Sequence, residues 1–340
     1  MIQDGELLMD NEGPYPSNAC SPTNGDSHPS KYLSRELTTE IQRQNINVRA
    51  DLAEDVDKYL RALEPEYSSA GCLTRHKITP ALRARMVDWM IEVLTNFRCD
   101  DQTFFLAINL LDRYFKNCAG SKEVSDLHVT GVTTMFIASK FEDIYPLKMK
   151  TVFEKIAHKK LEMKKIKSLE LEIMKAIDYK IHAPTILDFL KVYLVEVLGI
   201  EIQARTETKK KEENALALNA QQDDQVSENI DCTPQKVQQY LIEKMAIYLA
   251  KMSMHDLDLS ARNPSLLAVG SIYVALKICE QLKKKDLINA QVVTRLIQVS
   301  RMGEDQILDV SQKVLYLAQN FDKEFPGLEN LKKTHFGIIT

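Results

Sequence analysis

Apolar residues recur at helical spacing through most of the chain beyond about position 50. In "LAEDVDKYLRALE", Leu52, Val56, Tyr59, Leu60 and Leu63 stand three or four positions apart. That spacing predicts a helix with one buried face. Acidic residues fall in its first turns, where the helix dipole favours them.

Nine further segments have the same spacing. Two of them, 104–115 and 127–141, are apolar on most sides and should be buried. The others carry a single apolar stripe and run over 82–97, 149–177 with a break near 159–163, 185–198, 237–252, 265–282, 290–299 and 304–321. The whole chain has only 11 glycines and 11 prolines, which favours long helices over a β fold with many turns. The pattern therefore predicts an all-α protein.

Polar segments interrupt these helices. Residues 1–47 are rich in Asn, Ser, Asp, Pro and Gly and should form a disordered N-terminal tail. Residues 201–235 are polar and charged, and a gap of that length inside a compact domain predicts a disordered insertion. Residues 326–340 are expected to be a C-terminal tail.

The sequence also contains an internal repeat. "VTTMFIASKF" at 132–141 aligns without gaps with "VGSIYVALKI" at 269–278, so that Lys277 repeats Lys140. The unit is much longer than the roughly 34 to 47 residues of common helical repeats. Two similar helical domains in tandem are therefore expected.

Composition limits the possible partners and compartments. The formal net charge is −4, so we expect no nucleic-acid partner and no attraction to an anionic membrane. The six cysteines are scattered without a CxxC pair, which predicts reduced thiols inside the cell. The first residues resemble no secretory signal, and no apolar run has the 18 residues of a membrane span.

Motifs for catalysis or for cofactor binding are missing. GxGxxG, GxxxxGK[ST], HExxH and GxSxG do not occur. Cys72 and His76 alone cannot complete a zinc site, and the adjacent Glu142 and Asp143 are interpreted as a solvated helix end. We therefore expect no enzyme activity, no metal and no cofactor.

Four segments together carry a family resemblance. They are "RARMVDWMIEV", "FFLAINLLDRYF", "TMFIASKFEDIYP" and "LELEIMKAIDYKIHAPT", and their order and spacing resemble the cyclin box, especially that of mitotic A- and B-type cyclins. The resemblance implies two tandem five-helix cyclin folds preceded by an N-terminal helix. The first, with that helix, would span 48–181, and the second would span 182–325.

The resemblance also implies a function and a binding face. Cyclins are regulatory subunits that bind and activate a cyclin-dependent serine/threonine kinase in a heterodimer, here for mitotic cell-cycle control in the nucleus and cytoplasm. The kinase-binding residues that match are Lys140, Phe141, Glu170, Leu52 and Val56. Periodicity alone favours a solvated helix end for Lys140 and an exposed helix face for Glu170.

Two more groups are carried over from the family. An ion pair between Arg83 and Asp112 would hold helices together. A substrate-docking patch that receives an Arg-x-Leu segment would comprise Leu82, Arg85, Met86, Trp89, Glu92 and His128, although Met86 and Trp89 also fit a plain core. Arg85 stands where the family usually has an apolar residue, and His128 replaces the usual glutamine, so two alternatives stay open: the patch docks substrates or inhibitors with an Arg-x-Leu segment, or it is tuned to other ligands.

Other functions remain open at this point. A DNA-binding transcription factor can use the same doubled fold, but it would normally have a basic surface, and the net charge of −4 disfavours it. A helical scaffold without a kinase partner is a third possibility. One detail favours a single kinase face: Val310 or Ser311 stands in the second repeat where Glu170 stands in the first.

Overall fold

The computed structural model describes residues 54–200, 202, 234–283 and 290–336. The regular elements of these ranges are helices, and none of the described residues lies in a strand. The predicted all-α class is confirmed. Leu52, the 1–47 tail and nearly all of the predicted 201–235 insertion lie outside the described residues.

The first fold follows a short leading helix. That helix is α1 (54–63). The first fold itself comprises α2 (Pro80–Asn96), α3 (Asp101–Asn117), α4 (Val124–Glu142), α5 (Met149–Thr151) with a π-helical turn (Val152–Ile156), and α6 (Met163–Ala176). The second fold comprises α7 (Ile186–Leu198), α8 (Pro234–Ser253), α9 (Leu257–Ser260), α10 (Pro264–Lys283), α11 (Ala290–Ser300) and α12 (Glu304–Glu324).

Local sequence sets where these helices begin and end. The Thr79 hydroxyl accepts a hydrogen bond from the Leu82 N–H, and Pro80 occupies the first turn of α2. Thr185 forms a capping box with Asp188 at the start of α7. Gly199 ends α7 in the left-handed conformation with φ of 66°, which favours glycine.

The core of the first fold lies between α3 and α4. Leu110, Leu111 and Met135 are fully buried, as expected for segments that are apolar on most sides. Gly131 on α4 lets α2 approach, because a Cβ at this position would lie only 1.9 Å from the Met86 Cε. The helices pack as tightly as they do because position 131 has no side chain.

Polar contacts join the two folds. The Lys251 Nζ lies 2.7 Å from the Asp101 Oδ1, and the Gln102 amide donates to the Asp188 carboxylate at 2.9 Å. The leading helix α1 also reaches the second fold, since the Glu64 carboxylate accepts from the Ser265 N–H at 2.7 Å. The Glu64 contact, one residue after the end of α1, holds the end of that helix against the second fold.

The segment predicted as a C-terminal tail contains a further helix, α13 (Asn330–Phe336). It packs against α2 and α8, and Leu331 is fully buried. The short length of the segment hid this helix from the sequence analysis. Its position matters because α2 carries most of the predicted docking patch.

Candidate functional site

Arg83 and Asp112 lie in the centre of the first fold. The guanidinium donates to both carboxylate oxygens, from Nε at 2.8 Å and from Nη2 at 2.6 Å. Both side chains are almost completely buried, and the remaining Nη1 donates to the Met254 carbonyl at 2.8 Å. Every oxygen and nitrogen thus has a partner, which a buried ion pair requires. The pair joins α2, α3 and the segment after α8.

Asp88, beside the single tryptophan of the chain, has a different partner. Its carboxylate accepts hydrogen bonds from the N–H groups of Asn330 and Leu331, both at 3.2 Å. These are the first two N–H groups of α13, and an acidic side chain at a helix N-terminus satisfies them and stabilises the helix dipole. The buried His255 Nε2 lies 3.5 Å from the same carboxylate. Asp88 therefore caps a helix more than 200 residues away.

The predicted kinase-binding residues of α4 and α6 lie together. Lys140, in the last turn of α4, forms an ion pair with Glu170 of α6, and both side chains remain partly exposed. The Lys140 Nζ is also 4.2 Å from the centre of the Phe136 ring. The pair therefore presents one positive and one negative group at a single place on the surface.

Large exposed apolar side chains follow Lys140 along the chain. Phe141 is 48% exposed, and Ile144 and Tyr145, in the loop after α4, are 87% and 91% exposed. We call these three residues the apolar patch. Exposed aliphatic and aromatic side chains that are close together in the chain are typical of interaction surfaces. Val56 of α1 is also exposed, whereas Leu52 lies outside the described residues.

Within the described residues of the second fold, the repeat positions of Lys140 and Glu170 do not form an equivalent pair. Lys277, which repeats Lys140, lies 3.3 Å from Glu280 in its own helix. Val310 and Ser311, which stand at the repeat position of Glu170, are buried. The pair and the apolar patch are therefore features of the first fold.

An acidic cluster lies where the end of α4 meets α7. The Asp143 carboxylate accepts from the Asp100 N–H at 2.8 Å and from the Thr103 hydroxyl at 2.9 Å. Burial, followed by the negative charge of Asp188, raises the pKa of the half-buried Glu142 to about 7. The interpretation of 142–143 as a solvated helix end holds only in part, because both residues are half-buried and Asp143 is hydrogen-bonded to Asp100 and Thr103.

The predicted docking patch is only partly assembled as expected. Met86 points inward over Gly131 and is buried, so it supports the surface from beneath. Exposed or half-buried side chains form the rest, which we call the docking surface: Leu82, Arg85, Trp89, Glu92 and His128. The Trp89 and His128 rings lie 5.0 Å apart.

Some features near this surface carry no clear sequence signal. Asn330 of α13 donates its side-chain amide to the Glu92 carboxylate at 3.2 Å. The loop after the π-helical turn places His158 and Lys159 at positive φ, 48° and 60°. Only the run of one histidine and two lysines at 158–160 could have drawn attention to this loop.

No metal site or membrane-spanning helix is found in the part of the chain that the structure describes. Within those ranges, no three His, Cys, Asp or Glu side chains are grouped so that they could hold a metal ion. Nor does any described helix combine the length and apolar character needed to cross a bilayer. Burial raises the pKa of the Cys72 and Cys99 thiols to about 12, so they are unreactive thiols.

Comparisons with known proteins cover both halves of the chain. The family model "Cyclin, N-terminal domain" matches residues 55–182, and "Cyclin, C-terminal domain" matches residues 229–327. A viral cyclin from herpesvirus saimiri has a similar fold, with a TM-score of 0.57 at 16% identity over 82% of this chain and 99% of that one.

Among curated relatives, G2/mitotic-specific cyclin-B1 of Oryzias latipes is 26% identical over 236 residues, which are 68% of this chain and 47% of the relative. G2/mitotic-specific cyclin-A of Patella vulgata is 34% identical over 145 residues, 42% of this chain and 33% of the relative. The chain thus matches about half of the length of cyclin-B1 and a third of the length of cyclin-A. With a domain model matched in each half and two helical folds in tandem, the chain belongs to the cyclin family.

Proposed function

We propose that this chain binds a cyclin-dependent protein kinase and holds it in its active conformation. The observation that carries the proposal is the exposure of the apolar patch, Phe141, Ile144 and Tyr145, which follows Lys140 of the Lys140–Glu170 pair in the chain. An apolar centre flanked by charges that can meet complementary charges is the usual anatomy of a protein interface.

Activation would follow from binding alone. A protein kinase is active when the lysine of its third strand pairs with the glutamate of its mobile C-helix. A rigid surface that binds only the inward position of that helix shifts the population toward the active state. A shift from 1:99 to 99:1 needs about 5.5 kcal/mol of differential binding. No catalytic residue is required on this chain.

Polar contacts, some part-buried and one exposed, hold α1 in place beside the proposed binding face. In α1, Asp57 accepts from the Arg61 guanidinium at 2.8 Å, and Arg61 also donates to the Tyr193 hydroxyl of α7. Glu54 at the start of α1 pairs with Arg301 at 2.7 Å. Val56 is thus presented on a helix anchored at several points to the second fold.

Capture of a purified cyclin-dependent kinase by the immobilised chain tests the proposal. The informative variant is the charge swap Lys140→Glu with Glu170→Lys, which keeps the internal ion pair but reverses the charges offered to a partner. An exposed ion pair contributes only about 0.2–1 kcal/mol to folding, so the helical circular dichroism should be unchanged. Truncation of one partner in an interfacial charge pair costs about 2–5 kcal/mol of affinity, and reversal should abolish capture.

A matched pair of aromatic variants provides the control. Tyr145→Ala removes a 91% exposed ring from the apolar patch, whereas Tyr316→Ala removes a 58% exposed ring from α12 in the second fold. We expect capture to be weakened at least tenfold by the first change and to be unaffected by the second. Equal capture by wild type and by the charge swap contradicts the proposed face.

We also propose that the kinase complex acts in mitosis, in the nucleus and cytoplasm. This finer role is supported by the names of the relatives, several of which are G2/mitotic-specific cyclins. Timed degradation of the protein in synchronised cells tests it. Arrest before mitotic entry is expected, and normal entry contradicts the mitotic role.

A further inference from the structure

The stretch from α5 to the first turns of α6 is strongly basic. Residues 148–167 contain eight lysines and two glutamates, a formal charge of +6, whereas the whole chain carries −4. All eight lysines are exposed, and none of them has an ion pair or a side-chain hydrogen bond to another described residue. By contrast, Lys313, Lys332 and Lys333 each pair with a carboxylate. The positive charge of this stretch is therefore not neutralised within the described part of the chain.

Buried residues fix the direction in which these lysines point. Val152 and Ile156 of the π-helical turn and Ile166 and Leu169 of α6 are buried. The lysines occupy positions between them, so both elements turn an apolar side to the core and a basic side to solvent. The part of this basic side from the turn to α6 is called the lysine surface and comprises Lys155, Lys159, Lys160, Lys164, Lys165 and Lys167.

A tight loop keeps the lysine surface continuous. The Lys159 N–H donates to the Phe153 carbonyl and the Lys160 N–H to the Ala157 carbonyl, each at 2.8 Å. Successive members of the surface are at most four residues apart in the chain, so their Cα atoms lie within about 14 Å of each other. In α6, members three residues apart share one face of the helix. The ammonium groups thus form an unbroken series of positive charges.

The positive field of the loop extends to α4. Burial, followed by the charges of Lys160 and His158, lowers the pKa of the His128 imidazole. The Debye length is about 10 Å in 0.1 M salt, so acidic groups in the rest of the chain act only weakly on a partner bound here. The net charge of −4, from which we expected no nucleic-acid partner, therefore does not decide what this surface binds.

The residue types favour phosphate over carboxylate as the ligand. The planar fork of arginine recognises carboxylates in two-point contacts, and residues 148–167 contain no arginine. Lysine binds phosphate as a point charge. The same stretch has no asparagine or glutamine to read base edges, and its aromatic residue, Phe153, is half-buried, which leaves little ring surface for unpaired bases to stack on. These features fit the backbone of a nucleic-acid duplex.

An anionic bilayer fits the lysine surface less well. A helix that lies on a membrane inserts an apolar face between the headgroups. Residues 148–167 are all described, and Met163 is the one large apolar side chain among them that is exposed. The surface therefore offers charge without an apolar face.

We propose that the lysine surface binds the phosphate backbone of duplex DNA without regard to base sequence. A duplex carries one negative charge per about 1.7 Å of its axis, so a stretch of about 17 Å presents about ten phosphates to the six ammonium groups. Release of the counterions condensed on the DNA drives such binding. The inference goes beyond kinase binding and does not depend on it.

Fluorescence anisotropy of a labelled duplex of about 20 base pairs, titrated with the purified full chain, tests the proposal. Each neutralised phosphate contributes about −0.9 to the slope of log K against log salt, so six lysines predict a slope of about −5. Doubling the salt concentration should then weaken binding about 30-fold. Two duplexes of unrelated sequence should bind equally. Absence of binding at low salt, a slope near zero, or a strong preference for one sequence overturns the proposal.

A matched pair of double variants locates the site. Lys160→Gln with Lys164→Gln should weaken binding at least tenfold at low salt and reduce the slope by about 2. Lys313→Gln with Lys323→Gln removes the same charge from exposed positions of α12 and should leave the DNA affinity unchanged. Circular dichroism checks that both variants are folded. An equal loss of binding in the two variants would show that overall charge, and not the lysine surface, attracts the DNA.

Competition distinguishes DNA from other anionic partners. Unlabelled duplex, single-stranded oligonucleotide, polyglutamate and vesicles that contain phosphatidylserine are each added to the labelled complex at equal negative charge. We expect the unlabelled duplex to displace the label most effectively. More effective displacement by any of the other three overturns the choice of duplex DNA. Because no kinase is present, a failure here is distinct from a failure of the proposed kinase binding.

Discussion

The Arg83–Asp112 pair makes a quantitative prediction about folding. Arg83→Met replaces the buried guanidinium with an apolar side chain and leaves the Asp112 carboxylate without its two hydrogen bonds of 2.8 and 2.6 Å. Breaking a buried ion pair in this way costs about 3–5 kcal/mol, because one charge stays buried without a partner. The Met254 carbonyl also loses its donor, so the second fold should be destabilised together with the first.

A double variant separates the charge from the packing. Arg83→Met with Asp112→Leu removes both charges and should be more stable than the single variant, since apolar pairs can replace buried ion pairs at little cost. The Met254 carbonyl would still lack its donor, which costs about 1–3 kcal/mol. Urea denaturation followed by circular dichroism gives the free energies of unfolding. A single variant destabilised by less than about 1 kcal/mol, or a double variant less stable than the single one, refutes the reasoning.

Three further changes have expected outcomes. Asp88→Ala removes the cap of α13, so hydrogen exchange of its first amides should quicken about fivefold, corresponding to about 1 kcal/mol; unchanged exchange contradicts the capping role. The pKa of Glu142 is raised to about 7 in the folded chain. Its protonated carboxyl group therefore favours folding at low pH, and this contribution to the free energy of unfolding is lost as pH rises through 7. Glu142→Gln should therefore raise the melting temperature more at pH 8 than at pH 5, and an equal shift at both would contradict the burial. Gly131→Ala puts a Cβ against the flexible end of the Met86 side chain and should cost about 1 kcal/mol, the low end for overpacking, in urea denaturation, whereas a cost above about 3 kcal/mol would show that Met86 cannot turn away.

The sequence predicted the architecture because helical periodicity reports burial directly. Segments 104–115 and 127–141 were predicted to be buried from their apolar character on most sides, and α3 and α4 form the centre of the first fold. The break near 159–163 corresponds to the interval between the π-helical turn and α6. The tandem folds and the cyclin family, expected from four motifs and a repeat, are confirmed.

Features that depend on distant contacts could not be predicted. Asp88 interrupts an apolar stripe, and nothing in its neighbourhood along the chain shows that Asn330 and Leu331 supply its partners. Helix α13 has only seven residues, too few for periodicity to be visible, and its stability comes from packing and from this cap.

The orientation of the side chains in the docking patch could not be predicted from the sequence either. Spacing placed Met86 and Trp89 on one face of α2, but whether such a stripe faces solvent or core depends on the helix packed against it. Gly131 on α4 resolves the matter, because it leaves room for Met86 to turn inward while Trp89 stays half-exposed beside His128. The contact of Glu92 with Asn330 followed only from the three-dimensional fold.

Kinase activation is the most direct test of the central proposal that the first fold holds a kinase in its active state. The rate of phosphate transfer by a purified cyclin-dependent kinase is measured alone, with the wild-type chain, and with the Lys140→Glu, Glu170→Lys swap. We predict a large rise in rate with the wild type and the basal rate with the swap. A basal rate with the wild type, or full activation by the swap, would contradict the account.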